Sequence, residues 1–493
     1  MPEFIGFCGP AYEAQSRTQD TQRLINLYVE VDPTKRQGYA QAQGMMVTEG
    51  QRGRTTLYPT PGTVFQLQLQ VGEVRAFHVL PGSQTLLAIS GNAVYSVNTA
   101  LVATIVGTLL TSSGAAYIAD NGVAAYITDG SRTRYYYDWG TSTFAWINDG
   151  PFTGGAVCGE VDNFMFYTRA GTNQFGCTNV GDVVSNSLNL GSKIGESDNL
   201  MSIWGDHRQL LLLGERESEC WINAGSFPFP FAIIPGTSIQ HGLQAVRSVA
   251  RLGEGIAYLA KDSRGQQSVV LWGATIGTPK LLSTHAISNE IQGYAVTSDA
   301  VGYSYAQSGH EFYVLSFPSA DVTWCYDLSE NQWHQRAWRD SQNVLHRHRG
   351  NCAVLFNGQV LVGDWQNGMV YAFSQSTYTD NGDPIPCIRR APHLTTDLQR
   401  QFFSDLQIQF QPGVGVQSGQ GSDPECILRW SNDGGFTFGN DHVLKVGKVG
   451  QYTRRAMCRR LGWARDRVFE LEMSDPVWRV IVSANLNAQP GSS

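Results

Sequence analysis

From about Val64 the chain repeats one pattern. A short, nearly continuous apolar run is followed by a more polar, aromatic one. Apolar examples are Thr85-Leu86-Leu87-Ala88-Ile89, Val123-Ala124-Ala125-Tyr126-Ile127 and Asn163-Phe164-Met165-Phe166-Tyr167. Further runs cover Leu210 to Leu213, Ile256 to Leu259, Phe312 to Leu315 and Ala353 to Phe356. The aromatic runs include Tyr135-Tyr136-Tyr137-Asp138 and Trp324-Cys325-Tyr326-Asp327. A strand that is apolar at successive positions is buried on both faces. A period of roughly 40–50 residues with several strands per unit predicts the blades of a β-propeller. One blade cannot bury both its faces alone, whereas a ring of blades buries them all. Seven such runs predict six or seven blades over residues 64–378.

Turn chemistry agrees. Asn121-Gly122, Asn357-Gly358 and Asn367-Gly368 each sit between short apolar runs and suit two-residue hairpin turns. One helix is predicted, between Ser283 and Tyr294, with Ala286, Ile287 and Ile291 on one face and Ser283 or Thr284 as cap. The stretch 379–386 holds two prolines and a glycine and reads as a linker. Beyond it, residues 387–493 contain five strand-like runs: Phe402 to Phe410, Cys426 to Trp430, His442 to Val446, Val468 to Met473 and Trp478 to Val482. In the first, Leu406, Ile408 and Phe410 alternate with Asp405, Gln407 and Gln409, which predicts a half-buried strand. The expected architecture is all-β, a propeller followed by a small β-sandwich. Residues 1–63 are irregular, with one strand predicted within Leu24 to Val31. They are expected to form an arm ordered by packing on something else, a docking segment whose loss leaves a folded propeller.

Composition sharpens this picture. Of 493 residues, 16% are charged, 53 are glycine and 11% are aromatic, which excludes coiled coils and helical bundles. Net charge is −7, so no general attraction to nucleic acid is expected. From Ile385 onward, however, 13 Lys and Arg face 10 Asp and Glu. The nine cysteines have no metal-ligand spacing, which points to buried thiols in a reducing compartment. No signal peptide and no membrane span are expected.

Four constellations carry candidate chemistry. Ser431-Asn432-Asp433-Gly434-Gly435-Phe436-Thr437-Phe438 has the form of an Asp-box hairpin, in which Ser431, Asp433, Gly434 and Gly435 build a turn rather than a catalyst. His346 and His348 have a two-residue spacing that a metal could use, or they lie in a solvated loop. Arg454, Arg455, Arg459 and Arg460, with Arg465 and Arg467, form the densest basic stretch. They contact DNA or an acidic neighbour, or they cover a solvated strand pair balanced by Asp466, Glu470 and Glu472. Glu215, Glu217 and Glu219 alternate, and only the fold can pair them for glycoside chemistry. No nucleophile elbow, phosphate loop, zinc-protease motif or dinucleotide fingerprint occurs, so no enzyme, cofactor or metal is expected. The rival reading is a carbohydrate-binding or carbohydrate-cleaving propeller.

Several segments, taken in order, resemble one family. These are Asn26-Leu27-Tyr28-Val29-Glu30, Leu57-Tyr58-Pro59-Thr60-Pro61-Gly62, and Ser283-Thr284-His285-Ala286-Ile287 with Ile291. Near the end come Leu428 to Gly435, then Arg460-Leu461-Gly462 and Phe469-Glu470-Leu471. Together they resemble the tail hub, or nozzle, proteins of short-tailed bacteriophages, also described as packaged-DNA stabilisation proteins. The resemblance implies a propeller with an attached β domain, assembled as a homohexameric ring below the portal and the adaptor, or head-to-tail connector. Such a ring retains packaged DNA and conducts it at infection. It implies a virion protein assembled in the host cytoplasm. Its partners would be its own copies, the adaptor, a tail needle, tailspike or fibre, and genomic DNA bound without sequence preference. It implies no catalytic residues.

Overall fold

The computed structural model describes residues 2–32, 55–70, 72–147, 154–186 and 188–491. The part of the expected arm between 33 and 54 lies outside the described residues. The chain divides into two compact units, one of Phe65–Asp321 with Arg349–Phe373, the other of Met1–Val64, Val322–His348 and Ser374–Ser493.

The first unit is the propeller. Its first blade is the antiparallel sheet Val74–Val79, Thr85–Ser90, Ala93–Asn98 and Ala103–Thr108. Three more four-stranded blades follow, opening with Tyr117–Asp120, Cys158–Val161 and Leu200–Asp206. The fifth has His241–Leu243 and Ala250–Leu252 on its inner side. Val301–Gln307 and His310–Phe317 begin the sixth position, and Gly350–Phe356 begins the seventh. Gly350–Phe356 packs against Val74–Val79, so seven inner strands close a ring among the described residues. Residues 65–68 join the seventh sheet beside Met369–Ser374, and the Leu69 amide donates to the Gly368 carbonyl at 2.9 Å. The last blade is therefore completed by the start of the propeller segment.

Six of the seven apolar runs are the second strand of their blade, not the first. Leu86 to Ile89, Leu210 to Leu213 and Ile256 to Ala260 are almost fully buried because neighbouring blades cover both faces. The seventh run, at Ala353, lies in an inner strand instead. Turns follow the expected chemistry: Asn357 and Gly358 have φ of +49° and +73°.

Polar groups link blade to blade at strand ends and turns. His78 Nε2 lies 2.6 Å from Asp120 Oδ2. Asn121 Nδ2 donates to the Asp182 carbonyl at 3.3 Å, and Arg208 Nε to Asp162 Oδ1 at 2.7 Å. Arg251 reaches Asp206, and the Gly253 amide donates to Glu311. Asn357 Nδ2 returns to the Thr99 carbonyl at 3.3 Å. The α-helix His285–Gly293 buries Ala286, Ile287 and Ile291, and its cap is Thr284, whose hydroxyl accepts from the Ile287 amide.

The other unit is a sandwich of two sheets. One runs Leu27–Val31, Thr55–Pro59, Ile481–Pro490, Gln401–Phe410, Ala456–Ala464. The second includes Gln332–Arg339, Thr21–Ile25, Cys387–Arg390, Asp466–Met473, Glu425–Ser431 and His442–Lys445 in that order. Phe403 of one sheet meets Phe469 of the other at 6.3 Å between centroids.

The domain boundaries expected from the sequence are therefore redrawn. Residues 1–63 are not a separate arm where they are described: Thr21–Ile25 sits between two strands of the second sheet, and Leu27–Val31 with Thr55–Pro59 extends the first. Residues 379–386 are not a loose linker. Thr379–Asp380 and Asp383–Pro384 form a hairpin, and Thr63 Oγ1 donates to the Asp380 carboxylate. Gly62 is required there, because a Cβ would collide with the carbonyl oxygens of Thr377 and Thr379. The strand expected within Leu24 to Val31 is Leu27–Val31, and Thr21–Ile25 is a second strand before it.

Arg389 fastens the first residues to this unit. It is fully buried, with Nε donating to the Phe7 carbonyl at 2.6 Å and Nη1 to the Pro10 carbonyl at 2.9 Å. Nη2 donates to the Gly6 carbonyl and to Gln22 Oε1. Burial lowers its pKa to about 10, so it stays charged at neutral pH. Removing the guanidinium strands several buried carbonyls at once. Arg389→Met is expected to lower unfolding stability by about 3 kcal/mol in chemical denaturation. A loss below about 0.5 kcal/mol would show that the first residues are held by other contacts.

Candidate functional site

The Asp-box hairpin follows strand Glu425–Ser431. The Asp433 carboxylate accepts from the Phe436 amide at 3.1 Å, the Thr437 amide at 2.9 Å and the Thr437 hydroxyl. Ser431 Oγ donates to Asp433 and accepts from the Gly435 amide at 2.9 Å. Gly434 and Gly435 have φ of +74° and +87°, which a residue with a Cβ adopts only under strain. A Cβ on Gly435 would press on Thr21 Cγ2 at 2.8 Å, so the turn seats on the N-terminal strand. The residues close a turn and leave no group free for chemistry.

Hydrogen bonds from Ser431 and Thr437 hold the Asp433 carboxyl down at about 2. A depressed carboxylate stabilises the fold above its unfolded value near pH 4, and the contribution is lost as pH falls through about 2. Asp433→Ala is expected to cost about 1 kcal/mol at pH 7, with the difference from wild type shrinking between pH 4 and 2. Equal melting curves for the two proteins at pH 7 would contradict this.

Arg459 and Arg460 of the basic stretch lie exposed on a strand pair, one of the two forms read from the sequence, but without the acidic balance expected there. Ala456–Ala464 is a strand at the free edge of the first sheet, paired with Gln401–Phe410. A bulge opposite Phe403 to Asp405 places Arg460 at φ +59° and exposes both Arg459 and Arg460. Arg454, Arg455 and Arg465 are exposed as well. Arg455 lies 2.9 Å from the Gln407 side chain, whose oxygen accepts from it. Among the described residues none of these five arginines forms an ion pair.

Glu470 and Glu472, expected to balance them, are committed elsewhere. Arg390 bonds Glu470 at 2.8 Å, and Arg339 and Arg429 both bond Glu472. Asp466 bonds His393 Nδ1 at 2.8 Å. Arg467 is also apart from the others. It is buried over the Phe403 ring at 4.4 Å and donates to the Leu461 and Trp463 carbonyls.

Trp463 lies within the basic stretch, but its pairing with a second aromatic residue was not visible in the sequence. Phe402 and Trp463 are cross-strand partners, 46% and 49% exposed, and the Arg400 guanidinium lies 4.2 Å over the Trp463 ring. The signal was available as an aromatic in each of two paired strands, but it needed the register, which the bulge obscures.

The remaining candidates resolve into structure. His346 lies in a strand, Leu345–Arg347, rather than a loop, and bonds Asp340 at 3.3 Å, while His348 is buried. Among the described residues no three His, Cys, Asp or Glu are placed to hold a metal ion. Glu219 is buried, accepting from the Ile194 and Gly195 amides and from Trp221 Nε1 at 2.9 Å. Glu217 is buried beside Gly195, and exposed Glu215 accepts from Asn199. These carboxylates fold a loop instead of facing an open cleft. All nine cysteines are free thiols, eight of them buried, and burial pushes Cys8 and Cys158 up to about 12. No helix among the described residues is long and apolar enough to cross a membrane.

Two family descriptions match successive stretches of the chain. The family described as bacteriophage P22 Gp10, beta-propeller, matches residues 40–378, and the family described as bacteriophage P22 Gp10, beta-sandwich, matches residues 387–489. No curated protein matches the chain. The two matches follow one another in the order of the architecture built above and cover most of its length. The chain belongs to the bacteriophage P22 Gp10 family of structural phage tail proteins, a β-propeller joined to a β-sandwich.

Proposed function

We propose that this chain is a ring-forming tail hub that extends the portal–adaptor channel, helps retain packaged DNA and conducts it at infection. The observation that carries the reading is the consecutive match of both Gp10 family models along the chain. Charge supports it. The propeller unit holds 13 Lys and Arg against 21 Asp and Glu, so phosphate is repelled from its surface rather than condensed on it. A wall of that sign lets DNA pass without sticking.

The proposed partners are other copies of the chain in a homohexamer, the adaptor ring above, and a tail needle, tailspike or fibre. Genomic DNA passes through without sequence-specific contacts, and the working location is the virion tail. No step of this role needs catalysis, a cofactor or a metal ion.

Particles assembled without this protein are expected to package DNA and then release it. Packaged genome, measured as nuclease-protected DNA over hours, should fall steeply in such particles and return when purified protein is added back. Particles that keep their genomes without it would defeat the retention role.

A further inference from the structure

The exposed face around Trp463 has the composition of a protein interface, not only of a solvated strand. Two exposed aromatic residues, the cross-strand partners Phe402 and Trp463, share this strand pair with Arg459 and Arg460 and precede Arg465, and none of these arginines is ion-paired among the described residues. Tryptophan and arginine dominate the energetics of protein interfaces. Strand addition is an unsuitable mode here, because the edge is bulged at Arg460 and charged. Arg400 already covers one face of Trp463, which removes a surface on which a nucleic-acid base would stack.

A complementary surface exists on the same chain. At the turns of the second and third blades, Val123, Val180 and Val184 are 59%, 62% and 43% exposed. Asn121 bonds the Asp182 carbonyl, which brings these turns together. Asp182 is exposed, and Glu160 stands beside Asp120 and Asp162. Burial first, and then the charges of Asp120 and Asp162, push the Glu160 carboxyl above its ordinary range. His78 partners Asp120 and Arg208 partners Asp162, while Glu160 and Asp182 have no cation among the described residues.

We propose that the Phe402–Trp463–arginine face docks on the valine-tipped, acidic turns of the second and third blades of another copy of this chain. Apolar tips meet the rings, and unpaired carboxylates meet unpaired guanidiniums. The contact uses two different surfaces, which is the type that closes a ring by rotation. It rests on the ring reading above and names the surfaces that build the ring.

The test is sedimentation of the full-length chain in two charge-reversed forms, Arg459→Glu with Arg460→Glu, and Glu160→Lys with Asp182→Lys. Each form alone should self-associate about ten-fold or more weakly than wild type, because like charges then face each other. Mixing the two should restore assembly, with the copies alternating one to one. Unchanged circular-dichroism melts establish folding, and Arg459→Gln with Arg460→Gln replaces the first form if it does not fold. A mixture no stronger than its parts overturns the docking. So does loss of duplex-DNA binding in the arginine form with self-association intact. A wild-type ring indifferent to both reversals defeats this contact alone, whereas a wild type that stays monomeric defeats the ring reading and the contact with it.

Discussion

The structure depends on strand pairing between the first seventy residues and segments hundreds of positions away. Ile25 pairs with Gln335 on one side and Ile388 on the other. Leu57 pairs with Ile481, and residues 65–68 complete the seventh blade beside Met369–Ser374. Without these strands each unit would present open sheet edges, which are templates for wrong pairing. Arg389 adds a positive charge buried among carbonyl oxygens, a group whose cost is offset only while the first residues stay in place.

The same constraint explains what the candidate site is. The Asp-box turn rests on Thr21, and the arginine strand borders a sheet that the N-terminal strands help to build. Glu470 and Glu472 are consumed by Arg339, Arg390 and Arg429. Arg459 and Arg460 are thus left as surplus positive charge on a chain whose propeller is strongly negative. The carboxylates at Glu217 and Glu219 are spent on loop architecture.

Much of the fold was legible wherever burial follows a regular pattern, on both faces or on one. The second strands of the blades, the Thr284-capped helix and the strand around Leu406 all announce themselves through apolar pattern. The inner strands are less plain: Val74–Val79 is buried only over its first three positions, and in Val301–Gln307 the buried Val301, Tyr303 and Tyr305 alternate with Gly302 and Ser304 only over five residues. Strand Ala456–Ala464 was hidden by its bulge, which breaks the alternation that would reveal it. Thr21–Ile25 was hidden for another reason: its neighbours are far away in sequence, so local pattern carries no trace of them. The turn at Asp433 was readable because its bonds are all within seven residues. The Phe402–Trp463 pair was not, because it exists only through register.

The central claim is that the N-terminal segment is built into both units, and native-state hydrogen exchange on the full chain tests it most directly. Backbone amides in Thr21–Ile25, Thr55–Pro59 and 65–69 should be protected to about the level of Asp466–Met473 and Gln359–Asp364, since they open only with the sheets they complete. Rapid exchange throughout the N-terminal segment, beside full protection of those later strands, would contradict the account.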